Sequence, residues 1–293
     1  MSRSGYYAYL ARRKLREAEK ATGKARIRKI FEDSGGTYDP DRVCGVLRRQ
    51  GYTASYSRTK ALMEEMGLKS IHCRKKRQRS LTDSRKSRGD GFANLMRGMA
   101  LGKLLRYQAV CSDITYLKSG EGWLYYCTVK DIATGEILGE AYSPRMTKQL
   151  VIRAFLNAHA RHRLPAGTIF HSDRGSQYTS KTFASILKMY GIKQSFSRVG
   201  MPSDNAWAES FFATLKKECI HFQHFETRDE LEQTVFKWTN SFYNTRRVQA
   251  RLGYLSPKEY ANQYASDRHH KAPKKKPWDS APNPALAGSR VCR

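Results

Sequence analysis

From about residue 107 the chain takes on an order of segments that few architectures accept. "YQAVCSDITYL" and "GWLYYCTVKDI" are β-rich runs separated by the turn "KSGEG", and "GEILGEAYS" supplies a third. The three read as adjacent antiparallel strands with hairpin-like turns. From there helix and strand alternate. Residues 147–163 place Leu150, Val151, Ala154, Phe155 and Ala158 on one helical face. "GTIFHS" is a fourth strand, "SKTFASILKMYG" a helix stopped by Gly191, and "IKQSFS" a fifth strand. Two helices follow, "DNAWAESFFATLKKECI" and a long final one, "TRDELEQTVFKWTNSFYNTRR", with Thr227 as its cap. Three antiparallel strands followed by alternation imply an α/β layer with a mixed five-stranded sheet flanked by helices.

The upstream part has a different texture. Residues 6–30 are rich in Arg, Lys, Leu and Ala and read as a helix. Asp39 or Asp41 caps a second helix that runs through Gln50, "GYTAS" is a turn, and Ser55 or Ser57 caps a third over 57–66, ended by Gly67. A helix, a short turn and a basic helix make a helix-turn-helix candidate, although helix pairs that bind nothing share this spacing. The organisation expected is therefore a helical, helix-turn-helix-like region at 1–73, a basic linker at 74–106, the α/β core at 107–265 and a basic, disordered tail at 266–293. "RKKRQRSLTDSRKSRGDG" marks the linker, and the Pro- and Lys-rich end marks the tail.

Charge narrows the choice of partner. Fifty-four Lys and Arg stand against 26 Asp and Glu, a net charge of +28. The excess is spread over both parts, with 27 basic and 10 acidic residues up to position 110 and 27 and 16 beyond it. Neutralising phosphates and releasing their counterions is the chemistry such a surface serves, so nucleic acid leads over a merely solubilising surface or a membrane surface. No window approaches a membrane span, and the start lacks a signal peptide's apolar run. Cys44, Cys73, Cys111, Cys127, Cys219 and Cys292 include no C-x-x-C pair. They read as free thiols in a reducing compartment, the cytoplasm.

Three acidic residues then stand out by placement. Asp113 lies within the first strand, Asp173 where the fourth strand ends, and Glu209 inside the helix that follows the fifth. Taken singly, Asp173 before Arg174-Gly175 is also a plausible turn residue, and Glu209 an ordinary surface glutamate. An unpaired carboxylate in a β-rich run such as Asp113 is harder to explain as core. If the first and fourth strands are neighbours, the three carboxylates converge. Convergent like charges resist ionisation, and a hard divalent cation, Mg²⁺ or Mn²⁺, resolves the conflict. Two such ions clamp the attacking and leaving oxygens of a phosphodiester displacement.

The strings "SDITYL", "HSDRGSQYTS", "SDNAWAESFFATLKKE" and "YNTRRVQARLGYLSPKEY" resemble the integrase-type transposases of bacterial insertion sequences, most closely the second-frame protein (OrfB) of the IS-three family. The family's signature is Asp, Asp and Glu, with 35 residues between the last two. Here 35 residues separate Asp173 from Glu209, and 59 separate Asp113 from Asp173. A Lys or Arg seven positions after the Glu is also typical of the family, and Lys216 holds that place. Seven residues are two helical turns, so Lys216 falls on the face of Glu209 and could hold a phosphate there. The chain departs from the family at Val110, where Trp is usual, and in the third strand, which lacks the expected aromatic and basic texture. Both departures leave the three carboxylates in place.

The resemblance implies an RNase H-like fold, Mg²⁺-dependent strand cleavage (with Mn²⁺ able to substitute), and transfer of the freed 3′-hydroxyl to another phosphodiester, as in insertion-sequence transposition and DNA integration. It makes Asp113, Asp173 and Glu209 both catalytic and metal-holding. Double-stranded DNA is the expected partner, as element ends and as target. The expected DNA contacts are Lys216, Arg174, Arg246 and Arg247 in the core, and Arg48, Arg49, Arg58 and Lys60 in the helix pair. A homo-oligomer is expected, with a first-frame (OrfA) partner or fusion alongside. Asp204, ahead of Asn205, is the expected cap of the Glu209 helix. His171 reads equally as a core histidine or a residue lining the site, and Trp207 more as core than as a base-stacking platform. A nuclease of the same fold that only hydrolyses, a DNA-binding protein without catalysis, and an inactive copy are the rival readings.

Overall fold

The computed structural model describes residues 2–73, 93–198 and 206–266. The expected basic linker up to position 92, the tail beyond Ser266, and Asp204 with Asn205 lie outside the described residues.

Five strands form one sheet: β1 (Ala109–Ser119), β2 (Gly122–Asp131), β3 (Ile137–Ser143), β4 (Ile169–Ser172) and β5 (Lys193–Phe196). Their order across the sheet is β3-β2-β1-β4-β5. The first three are antiparallel neighbours, and β4 and β5 run parallel to β1. This is the mixed sheet that the order of segments implied, in the RNase H-like form that the resemblance implied. It is achieved because the β3-to-β4 connection carries a helix, which a parallel crossover requires.

That helix, α4 (Lys148–His162), lies with α5 (Lys181–Met189) on one face of the sheet. Leu150, Val151, Ala154, Phe155 and Ala158 are all fully buried, and they share a core with Val110, Cys127, Val129, Phe170 and Phe183. Gly139 of β3 allows the approach. A Cβ built there would stand 2.6 Å from the Ala154 carbonyl oxygen and would collide with the Ala158 amide, so helix backbone rests directly on strand backbone. Gly139→Ala is therefore expected to cost about 1–3 kcal/mol by overpacking. In thermal melting that is a fall of about 2–4 °C per kcal/mol; an unchanged melting temperature would refute the close approach.

The other face is covered by α6 (Ala206–Leu215) and α7 (Arg228–Lys237), through Phe211, Phe212, Leu215, Leu231 and Val235. Each helix is prolonged by a π-helical turn, Lys216–Ile220 after α6 and Trp238–Tyr243 after α7. The expected long final helix thus ends at Tyr243 with its last turns π-helical, and a further helix, α8 (Pro257–Ser266), follows.

Upstream, α1 (Arg3–Asp33), α2 (Pro40–Arg49) and α3 (Tyr56–Glu65) form the helical region. Asp39 caps α2, accepting from the Arg42 amide at 2.9 Å, and Ser55 caps α3, accepting from Arg58. Gly67, at φ +68°, takes the left-handed turn that ends the third helix.

Packing crosses two of the expected boundaries. Ile27, Ile30, Val43, Leu47, Leu62 and Met63 share their core with Phe242, Val248 and Tyr254. Of α1 only Ile27 and Ile30 are buried, so the three helices bury too little apolar surface among themselves, and the strap after α7 completes the cluster. The last part of the expected linker is likewise core. Met96 and Leu104 are buried with Ala109, Cys111, Ile132 and Ala208, and Arg106 pairs with Glu136 at 2.7 Å.

Candidate active site

The register of the two central parallel strands brings the aspartates together. Cys111 of β1 pairs with His171 of β4. Asp113 lies two residues further along β1 and Asp173 directly past the end of β4, so continuing the register brings the two side by side. α6 reaches this part of the sheet, with Ala208 packed in the cluster of Ala109 and Cys111. Glu209 is the next residue of that helix.

Charge reports the same proximity. The Asp113 carboxyl is pushed up to about 7, first by burial and then by the negative charge of Asp173, with Glu209 adding to it. The Ile114 amide, which donates to Asp113 Oδ1 at 2.8 Å, and the Lys216 ammonium act in the opposite direction. Asp173 is also raised. Its side chain reaches solvent, but the chain around it is dense, and desolvation outweighs the hydrogen bond from the Gly175 amide at 3.0 Å. Glu209 opens to solvent.

Lys216 lies in the π turn beyond α6, half-buried, with Nζ 5.1 Å from the centre of the Tyr116 ring. Burial lowers its pKa and the Asp113 carboxylate raises it. The cation thus sits at the edge of the carboxylate group rather than in open solvent.

Among the described residues, no three His, Cys, Asp or Glu side chains are close enough to hold an ion together. The chemistry of the donors nevertheless fits a hard divalent cation. Asp113 lies in the field of Asp173 and Glu209, whose negative charges disfavour its ionised form, and a cation would relieve that repulsion.

The neighbours are structural. His171 is fully buried, with Nδ1 2.9 Å from Ser195 Oγ and Nε2 3.2 Å from Ser197 Oγ, and is a satisfied core histidine. Trp207 packs beside Met96 and Leu104. Arg174 donates from Nε to the Ser197 carbonyl at 3.0 Å.

The expected DNA contacts fare unequally. Arg246, Arg48, Arg58 and Lys60 are exposed. Arg49 is held to the Tyr254 carbonyl at 2.6 Å and to Glu259 at 3.2 Å. Arg247 is corrected outright. Its guanidinium is buried, donating from Nε and Nη2 to the two oxygens of Glu218 at 2.7 and 2.6 Å, and it has no access to a DNA backbone.

Sequence reasoning passed over several buried carboxylates. Glu218 is one. Asp131, which accepts from the Tyr107 amide and from Thr134, is another. Glu140 is a third; Tyr126, Tyr142 and Asn240 donate to it. This last network explains the unusual third strand, whose polar residue faces a set of hydroxyl donors.

The chain matches the integrase core domain family over residues 105–202, and a second integrase core domain family over 209–264. Residues 17–77 match an HTH-like domain family. It is 35% identical over 248 residues to a transposase for insertion sequence element IS904 of Lactococcus lactis subsp. lactis, covering 83% of this chain and 95% of that one. It is 33% identical to the transposase InsF for insertion sequence IS3A of Escherichia coli, covering 89% of this chain and 91% of that one. Among solved structures, a chain of the simian T-cell lymphotropic virus intasome, in complex with PP2A regulatory subunit B56 gamma, is similar at 16% identity. The TM-score is 0.49, over 80% of this chain and 74% of that one.

Proposed function

The chain belongs to the bacterial insertion-sequence transposases built on an integrase core, whose reaction is polynucleotidyl transfer in DNA transposition, and we propose that Asp113, Asp173 and Glu209 carry that reaction here. The observation that supports this most is the parallel pairing of β1 with β4, which leads the chain toward Asp113 and Asp173 beside α6, together with the charge of Asp173 felt at Asp113.

In this reading Asp113 and Asp173 would hold Mg²⁺, or Mn²⁺ in its place, and Glu209 would complete the set from the helix. Bound there, the cation would polarise the scissile phosphodiester and ease deprotonation of the attacking hydroxyl. No protein nucleophile is required, since water opens one strand and the freed 3′-hydroxyl attacks a second phosphodiester. Lys216 steadies a phosphate at the rim of the site, where its charge faces Asp113. Arg174 and the exposed Arg246 are the further phosphate contacts of the core in this reading.

The substrates are double-stranded element ends and target DNA, held by at least two copies of the chain because two ends must be joined. α2 and α3 act as the helix-turn-helix reader, with Arg48, Arg49, Arg58 and Lys60 meeting phosphates. A first-frame partner would add end recognition. No helix among the described residues is long and apolar enough to cross a membrane. We place the reaction in the bacterial cytoplasm, at the nucleoid.

The test is incubation with Mg²⁺ or Mn²⁺ and a labelled duplex carrying the element's terminal repeats, beside the Asp173→Asn variant. Nicked and joined products from the parent chain, absent from the variant, are the expected result. Nicking without joining would leave a hydrolytic nuclease, and equal products from both chains would remove Asp173 from the site.

A further inference from the structure

A buried, charge-assisted contact outside the carboxylate site joins the helix that bears Glu209 to the N-terminal helices. Glu218 lies in the π turn that prolongs α6, and its side chain is fully enclosed, with 0% exposure. On one side Arg247 donates to both of its oxygens. On the other, His72 Nε2 stands 2.6 Å from Glu218 Oε1. The adjacent Lys217 donates from Nζ to the His72 carbonyl at 2.9 Å.

Both arms return to one loop. His72 sits in a short turn, Ile71–Cys73. That turn is pinned by the Ile71 amide on the Gly36 carbonyl and by the neighbouring Ser70 hydroxyl on the Thr37 carbonyl. Arg247 is flanked by residues bound to Tyr38. The Tyr38 hydroxyl donates to the Arg246 carbonyl at 3.0 Å and accepts from the Val248 amide at 2.8 Å. Glu218 therefore closes a circuit through the loop between α1 and α2.

Apolar packing of Phe211, Phe212, Leu215 and Cys219 presses α6 onto the sheet, but such contacts are non-directional. A bidentate, charge-assisted pair is directional and fixes how far a helix slides and turns. Setting register is the best-attested use of a buried ion pair.

We propose that Glu218 is a positioning residue. With His72 and Lys217 it locks the helix bearing Glu209 to the N-terminal helices, so that the phosphate cut lies at a fixed distance from the DNA those helices hold. The proposal rests on the strand-cutting reading of the carboxylate site. It concerns the choice of phosphate, which neither the carboxylates nor the helix pair alone would set.

The test uses the full chain and the double variant His72→Ala, Lys217→Ala, which severs both links to the Ile71–Cys73 turn and leaves the buried Arg247–Glu218 pair intact. On a labelled terminal-repeat duplex, half-saturation should stay within about twofold, whereas the rate at saturating DNA should fall about tenfold or more, since misplacement on the order of 1 Å costs up to about 100-fold. Cuts should spread over neighbouring phosphates, which simple loss of stability does not produce. A second readout needs no turnover. Duplex binding should slow amide exchange across 206–220 in the parent chain and not in the variant. A single unchanged cut position at undiminished rate would overturn the proposal, as would equal slowing in both chains or none in the parent. A parent chain that transmits this protection but never cuts DNA would leave the lock standing and remove the strand-cutting reading instead.

Discussion

Asp113→Asn is expected to lower strand cutting and joining by about 10³-fold or more while leaving duplex binding nearly unchanged. The magnitude follows from losing one carboxylate of a cation site that contributes several kcal/mol of transition-state stabilisation, at 1.36 kcal/mol for each factor of ten. The fold should not suffer. Asparagine has the same shape, and its side-chain oxygen can still accept from the Ile114 amide, as Asp113 does at 2.8 Å. The native carboxyl is held in an unfavourable setting by burial and by Asp173 and Glu209. The neutral variant should therefore melt at the same temperature or slightly higher, so a loss of activity would not reflect unfolding. Gel analysis of cleavage products together with a melting curve gives both numbers. Cleavage at the parental rate would remove Asp113 from the chemistry.

Arg247→Met should have the largest effect on stability. It leaves the Glu218 carboxylate enclosed with only the His72 ring beside it, and breaking a buried pair in this way costs about 3–5 kcal/mol. The loss is to be read by urea unfolding. Its pH dependence has a defined sign. Burial alone would raise the Glu218 pKa, but the hydrogen bonds from Arg247 and then His72 outweigh it and hold the carboxyl below its ordinary 4.5. A depressed pKa contributes stability that is complete above the unfolded value and fades as the pH falls through the lower folded one. The gap between parent and variant should thus be widest near neutrality and narrow below about pH 4.5. Equal stability of the two chains at neutral pH would show that the pair contributes nothing net.

The strands and most helices were legible because each carries its own period, and the helix starts because Asp39, Ser55 and Thr227 cap them with side-chain oxygens. Asp113 and Asp173 were conspicuous because carboxylates are rare in such runs. Glu209 could be singled out only by its spacing from Asp173, as nothing local separates it from a surface glutamate. The Arg247–Glu218–His72 circuit was illegible for a related reason. Arg246 and Arg247 are neighbours of the same residue type, and only the turn that follows Tyr243 decides which one faces inward. The burial of Met96 and Leu104 at the end of the expected linker was illegible because Leu95, Met99, Leu101 and Leu105 surround them, with no helix or strand period to mark which are covered. Met96 and Leu104 become core only when Ala208 arrives from more than a hundred positions downstream.

The cluster that joins the first three helices to Val248 and Tyr254 has a consequence for how the chain is born. Val248 and Tyr38 are hydrogen-bonded across 210 residues of sequence. At about 5–20 residues per second on the ribosome, the N-terminal helices emerge roughly 10–40 s before the segment that completes their core. During that interval Ile27, Val43, Leu47 and Met63 lack their final cover. The N-terminal helices therefore cannot mature as an independent first product of translation, and a nascent chain interrupted before position 248 should be a preferred client of chaperones and proteases.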